Sequence, residues 1–234
     1  VADAPTLTVS DASGSEDSAI GLDVDAGLTD TSETMTITIS GVPDGASLSA
    51  GTNNGDGSWT LSATDLNGLT ITPANDFSGS FDLDVTASSA DGSDVATTTG
   101  SITVDVAGVA DAPTLEVSDA SGDEDSAIAL DIDAGLTDSS EVLTVTISGV
   151  PDGATLSAGT DNGDGTWTLT PAQLEALTIT PSENYWGNFE LTVTATSVDG
   201  EDSASISQVL QIEVIDDPNE SVIGTTGSDE ITTA

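Results

Sequence analysis

Carboxylates recur in pairs along this chain, and they are the side chains with the most chemistry to offer. Glu16-Asp17 and Glu124-Asp125 are adjacent acids, Asp30 with Glu33 and Asp138 with Glu141 stand just before a long apolar alternation, and Asp91 and Asp199 hold equivalent places at later turns. Two like charges about 4 Å apart repel by roughly 1 kcal/mol in water, and by more as water is excluded. Salt removes only the distant part of this repulsion, because the Debye length is about 8 Å at physiological ionic strength. The chain has 234 residues with 42 Asp plus Glu and no Lys, Arg or His, a formal charge of −42. No intrachain salt bridge is therefore expected, and close carboxylates need a bound cation, protonation or wide spacing. Ca²⁺ suits an oxygen-only site, since it takes about 6 to 8 oxygen ligands. Zinc and copper prefer Cys and His, which are absent. The plain alternative is a solvated acidic loop, which suffices for any single pair; several pairs recurring at strand ends favour metal sites.

The missing residues exclude functions as well. Nucleic-acid binding needs Lys and Arg to neutralise phosphates, and a phosphate-binding nucleotide enzyme fails for the same reason. Carboxylates, hydroxyls and Tyr185 are all that remain for acid–base or nucleophilic chemistry. Asp30-Thr31-Ser32 and Asp138-Ser139-Ser140 superficially resemble the Asp-Thr/Ser-Gly of aspartic proteases, but the Gly is absent. No enzyme is expected. The run Asn53-Asn54-Gly55-Asp56-Gly57 and its copy Asp161-Asn162-Gly163-Asp164-Gly165 open like a calcium loop, yet an EF-hand register places Pro171 where a bidentate Glu belongs. Asn-Gly and Asp-Gly before alternating apolar residues specify a tight hairpin instead.

These motifs recur because the chain is doubled. Val1-Ala2-Asp3-Ala4-Pro5-Thr6-Leu7 returns as Val109-Ala110-Asp111-Ala112-Pro113-Thr114-Leu115, an offset of 108 residues. The same offset carries Gly41-Val42-Pro43-Asp44-Gly45 onto Gly149-Val150-Pro151-Asp152-Gly153, and Trp59 onto Trp167. No insertion breaks the register until Val214-Ile215-Asp216-Asp217-Pro218 near the end of the second copy. Two repeats are expected, 1–108 and 109–218, followed by a poorly ordered linker over 219–234.

Each copy is long enough to bury a core of its own. Alternating β-branched residues predict strands at 7–9, 20–24, 35–39, 59–61, 69–72, 81–87 and 102–106, with one helical turn near 63–66. About seven short strands per 100 residues is the pattern of an immunoglobulin-like sandwich. Strong acidity can signal disorder, but 36% of residues are apolar and they alternate. No run of about 18 apolar residues spans a membrane. The absence of Cys says that the fold needs no disulfide. The opening residues, with neither signal peptide nor initiating Met, read as the start of an excised fragment. Trp59 and Trp167 are expected to pack in the core. Trp186, beside Tyr185 and with Ser78 at its place in the first copy, is a rim residue or half of a small binding platform.

Phe81-x-Leu83-x-Val85-x-Ala87, then Asp91-Gly92, then Ile102-x-Val104-x-Val106, then Asp111-x-Pro113 resembles the closing half of a cadherin repeat. Glu16 resembles the early Glu of such a repeat, and Asp138-x-Ser140 its D-x-D pair with the second acid lost and Glu141 adjacent. The D-x-N-D-N-x-P linker is reduced here to Val109-Ala110-Asp111-Ala112-Pro113, Ser197 stands where an acid is expected two residues before Asp199, and no L-D-R-E is visible. Both copies resemble more closely the cadherin-like tandem repeats of giant bacterial RTX adhesins exported by type I secretion. Gly224-Thr225-Thr226-Gly227-Ser228-Asp229-Glu230-Ile231-Thr232 matches the RTX nonapeptide apart from its second position. The resemblance implies two cadherin-like or immunoglobulin-like Greek-key β-sandwiches in an extended arrangement, on the bacterial cell surface. It implies Ca²⁺ at the junction held by Glu16, Asp17, Asp111, Asp138, Glu141 and Asp199, and a mirrored set at Glu124, Asp125, Asp216 and Asp217 for the next domain. The implied role is a calcium-rigidified extender for adhesion or biofilm formation, monomeric and partnered by neighbouring repeats; the alternative is a glycan- or peptide-binding module.

Overall fold

The structure, a computed structural model, describes residues 1–216; Asp217 and the RTX-like tail lie outside the described residues. Two compact units have Val1–Ala110 and Asp111–Ser197, the latter with 204–216, as their main bodies. The first contains β1 (Thr6–Val9), β2 (Ala12–Ser15), β3 (Ile20–Gly21), β4 (Val24–Gly27), β5 (Thr34–Ser40), β6 (Ser47–Leu48), β7 (Thr52–Asn53), β8 (Trp59–Leu61), β9 (Thr70–Thr72), β10 (Gly79–Asp91) and β11 (Asp94–Ala107). The second repeats them as β12 (Thr114–Ser118), β13 (Ala120–Asp123), β14 (Ile128–Ala129), β15 (Asp131–Gly135), β16 (Val142–Ser148), β17 (Thr155–Leu156), β18 (Thr160–Asp161), β19 (Thr166–Leu169), β20 (Thr178–Thr180), β21 (Gly187–Asp199) and β22 (Asp202–Ile215). The only helical elements among the described residues are 3₁₀ turns at Ala63–Leu66 and Pro171–Gln173, where the sequence pattern expects them.

In each unit one layer runs β2-β11-β10-β5-β8-β7, or β13-β22-β21-β16-β19-β18 in the second. The facing layer is β1-β4 with β3-β9-β6, or β12-β15 with β14-β20-β17. β3 and β4 are successive halves of one strand that pairs first with β9 and then with β1, and the Leu22 amide donates to the Leu69 carbonyl at 2.9 Å between them. β2 joins the end of β11 in parallel, so the chain crosses from one layer to the other within a few residues of β1. The fold is all-β, two β-sandwiches in tandem. Period-two alternation places Ile37, Ile39, Leu83, Val85, Ile102 and Val104 on the inner face of one layer, opposite Ile20, Leu22, Leu69 and Ile71. In the second core Val145 takes the place of Ile37, beside Ile147, Leu191, Val193, Leu210 and Ile212. Each fully buried Leu, Ile or Val contributes about 1.5–3 kcal/mol.

The seven strands expected per copy are eleven. The additions β2, β6 and β7 are two to four residues of mostly Ser, Thr, Gly, Ala and Asn, too short and too polar for alternation to register. The β10–β11 hairpin runs from Gly79 to Ala107, well beyond 81–87 and 102–106. Its outer half, Ser88 to Thr99, is rich in Ser, Thr and Ala, on strands whose pairing is fixed by register with β5 rather than by apolar burial.

Candidate metal centre

The leading end of each unit is the segment before its first strand together with the loop between β4 and β5, or β15 and β16. In the first unit the Asp3 amide donates to Glu33 Oε1 at 2.7 Å, and the Ser89 hydroxyl of β10 donates to the Asp3 carbonyl. Glu33 is 7% exposed, and its second oxygen, Oε2, is buried without a hydrogen-bond partner. Asp30 accepts the Ser32 amide at 2.9 Å. That amide, with the Ser32 hydroxyl, holds the Asp30 carboxyl below the ordinary carboxylate range. Asp3, Asp30 and Glu33 bring one carboxylate oxygen each to within 4.8 Å of one another. Carboxylates this close repel one another, and the more so where water is excluded, as it is around the buried Glu33.

The second unit repeats this arrangement 108 residues later. The Asp111 amide donates to Glu141 Oε1 at 2.5 Å, and the Ser197 hydroxyl to the Asp111 carbonyl. Glu141 is 6% exposed, again with Oε2 buried and unpartnered. Asp138 accepts the Ser140 hydroxyl at 2.5 Å and its amide at 2.8 Å, and these two bonds, the hydroxyl first, pull its carboxyl below the ordinary range. Ser197 thus anchors the backbone at Asp111.

One cation does exist in the chain, contrary to the expectation of no salt bridge. The α-amino group of Val1 lies 2.8 Å from an Asp91 oxygen and 3.9 Å from Asp94, all well exposed. Its pKa is raised, chiefly by the hydrogen bond to Asp91. An exposed pair of this kind adds little stability.

The trailing end of each unit gathers a different set. Glu16 and Asp17 follow β2, and the Glu16 amide donates to the Ala107 carbonyl at the end of β11 at 2.9 Å. Glu16 Oε1 accepts the Val109 amide at 2.7 Å. Asp17 sits at φ +55° and accepts the Asp76 amide at 3.3 Å. In the second unit the Glu124 amide donates to the Ile215 carbonyl at 2.9 Å, and Asp216, the next residue, is exposed. Asp125, also at φ +55°, accepts the Asn184 amide at 2.8 Å. Asp17 and Asp125 therefore each pin a loop. Asp199 ends β21 at its turn with β22. Asp217 lies outside the described residues.

Asp3, Asp30 and Glu33 stand outside the ligand set that the resemblance implies, and the 108-residue offset from Asp111, Asp138 and Glu141 is the signal that finds them. Asp76 carried no such signal, because Asn184 occupies its place in the other copy. The turns at 53–57 and 161–165 are hairpins between β7 and β8, and β18 and β19. Asp56 Oδ1 accepts the Ser58 hydroxyl and amide at 2.6 and 3.1 Å, and Asp164 Oδ1 accepts the same pair from Thr166. Trp59 and Trp167 are half-buried against their cores. Tyr185 packs edge-on to Phe189 with centroids 5.8 Å apart, whereas Trp186 is 66% exposed, so the two rings face different surroundings.

No protein-family model and no curated protein matches the chain. Solved structures do. Drosophila N-cadherin EC1-4 matches at 19% identity and a TM-score of 0.43, over 92% of this chain and 50% of that one. The titin domains Z1Z2, solved in complex with telethonin, match at 11% identity and a TM-score of 0.37, over 93% of this chain and 99% of that one. BT4661, a SusE-like surface-located polysaccharide-binding protein from Bacteroides thetaiotaomicron, matches at 11% identity and a TM-score of 0.30, over 90% of this chain and 34% of that one. The chain spans half the length of the N-cadherin fragment and about a third of BT4661. By its strand pairing, each unit is a cadherin- and immunoglobulin-like β-sandwich.

Proposed function

We propose that the two units are spacer repeats of a large bacterial surface adhesin exported by type I secretion, and that Ca²⁺ bound at the linker stiffens the chain. A distal ligand-binding region is then held away from the cell, for adhesion or biofilm formation. The observation that carries this reading is the treatment of the linker: Glu16 anchors the amide of Val109, and Glu141 anchors the amide of Asp111, two residues further on. Acids from successive repeats thus grip adjacent stretches of one short connection, in a chain with no basic side chain to balance them. Glu16, Asp17, Asp111, Asp138, Glu141 and Asp199 are the proposed ligands, and Glu124, Asp125, Asp216 and Asp217 those for a following repeat. No helix among the described residues is long and apolar enough to cross a membrane. The partners in this reading are neighbouring repeats, with no nucleic acid, no catalysis and a monomeric state.

The test is the melting temperature and the maximum dimension from small-angle scattering, each with Ca²⁺ and with chelator. Both rise with Ca²⁺ if the linker stiffens; values unchanged by Ca²⁺ reject the reading. Asp111→Ala sharpens it, because the clamp on this residue uses its backbone amide and carbonyl. The variant keeps the clamp, loses the carboxylate, and should lose the Ca²⁺-dependent change in dimension.

A further inference from the structure

We propose that each repeat carries a pocket for one sugar ring of a neutral polysaccharide, formed by Asp44, Asn53 and Trp59 in the first copy and by Asp152, Asp161 and Trp167 in the second. This goes beyond the spacer reading, and Ca²⁺ has no part in it.

The pocket lies between the loop after β5 and the β7–β8 hairpin, and its counterpart between the loop after β16 and the β18–β19 hairpin. The two cavities measure about 140 and 150 Å³. Pockets for drug-sized ligands start at about 300 Å³, so each of these admits a single ring. The Val42 amide donates to the Gly57 carbonyl at 3.0 Å, and the Val150 amide to the Gly165 carbonyl at 3.3 Å, which fixes loop against hairpin in both copies.

Most of Gly41-Val42-Pro43-Asp44-Gly45 has a task in the fold. Val42 is buried, and a Cβ on Gly41 would strike the Asp82 carbonyl. Gly45, at φ +85°, closes a turn in which the Ala46 amide donates to the Pro43 carbonyl at 3.1 Å. Asp44 has no such task. It is exposed, its carboxylate makes no hydrogen bond among the described residues, and its place in this type II turn does not call for an acid. Asp152 repeats the arrangement in the second copy. Each of these free acceptors shares its cavity with a Trp that is only half-buried against the core. An aromatic wall with a few placed polar groups suits a sugar, whose C–H groups lie on the indole while its hydroxyls donate to the carboxylate.

The second copy also says what kind of ligand fits. Asn53 and Asp161 hold the same place, and the Oδ1 of each accepts a glycine amide at 2.8 Å. The pocket keeps its acceptors while its charge changes by one, which suits a hydroxyl donor better than a cation. A formal charge of −42 disfavours anionic sugars.

The experiment is retention of the full chain, in chelator, on columns of immobilised glucan, mannan and galactan, all uncharged. Wild type should be retained on at least one of them, and equally at about 0.05 M and about 0.5 M NaCl, because no charge pair is there to be screened. Asp44→Ala combined with Asp152→Ala should weaken that retention by about tenfold or more, the scale of a hydrogen bond to a charged group. Its melting temperature should stay near wild type, since both residues are exposed. Asp44→Asn with Asp152→Asn keeps an acceptor without the charge and should weaken retention less. Trp186→Ala should leave it unchanged. The proposal is overturned by no retention on any of the three columns, or by retention that the Ala pair leaves intact. Retention abolished by NaCl or by tetramethylammonium chloride also overturns it, since that marks a cation site. Every reading is made in chelator, so failure here leaves Ca²⁺ stiffening standing, and failure of stiffening leaves this pocket.

Discussion

Five aspartates are held below the ordinary carboxylate range by donors two or three residues away. Asp56, Asp65, Asp138 and Asp164 owe this first to the hydroxyls of Ser58, Ser62, Ser140 and Thr166, and Asp30 first to the Ser32 amide. Their pKa values are lower in the folded state than in the unfolded chain, so the stability they contribute is present above the reference value of 3.8 and lost as pH falls through the folded values. In chelator, the wild type should lose this contribution below about pH 3.8, whereas Asp164→Asn, which does not titrate at that position, loses less of it. The measurement is melting temperature against pH for both chains, and a gap between them that stays constant into acid contradicts the assignment. At this scale the sequence was legible where the partner is local: the hairpin role of 53–57 follows from Asn-Gly and Asp-Gly spacing. It was not legible at Ser197, whose hydroxyl meets the Asp111 carbonyl across 86 residues of chain.

Elements are positioned by turns that accept only certain backbones. Gly149 follows β16 at φ +83°, and a Cβ there would stand 2.7 Å from the Glu190 carbonyl oxygen; Gly41 repeats this at φ +84° and 2.6 Å from the Asp82 carbonyl oxygen. Gly149→Ala combines a positive φ with a clash against backbone, and should cost more than about 1 kcal/mol in urea unfolding. Truncating the core tests the sandwich itself. Leu191 is fully buried on β21, and Leu191→Ala should cost about 2–5 kcal/mol by the same measurement. A cost under about 1 kcal/mol would place Leu191 outside a packed core. Strands with apolar alternation were visible from the sequence alone, because every second residue must face the core. The outer reach of the β10–β11 hairpin was hidden, because ladder pairing extends along Ser, Thr and Ala without needing an apolar side chain.

Across the whole molecule, a formal charge of −42 repels itself at every scale that water and salt do not screen. In chelator, raising NaCl from about 0.01 M to about 0.15 M shortens the Debye length from about 30 Å to about 8 Å, and the melting temperature should rise. Screening acts on exposed charges and leaves close, partly buried carboxylates largely unrelieved. A further rise on adding Ca²⁺ at constant ionic strength is therefore expected, and its absence after salt is saturating would reduce the role of Ca²⁺ to screening.

The sequence by itself determined the doubling, the all-β character and the demand for a counterion, since repeat offset, period-two alternation and composition are properties of the chain before it folds. It also determined the hairpins and 3₁₀ turns, whose donors and acceptors lie within a few residues of each other. Only the tertiary structure decided which acids meet. Asp3 reaches Glu33 across 30 residues and Ser89 across 86, and these distances close only once β1, β5 and β10 have taken their places. Glu33 and Glu141 differ from most other carboxylates not in type or local spacing but in burial, which leaves one oxygen of each dry and unpartnered, and burial is fixed by packing.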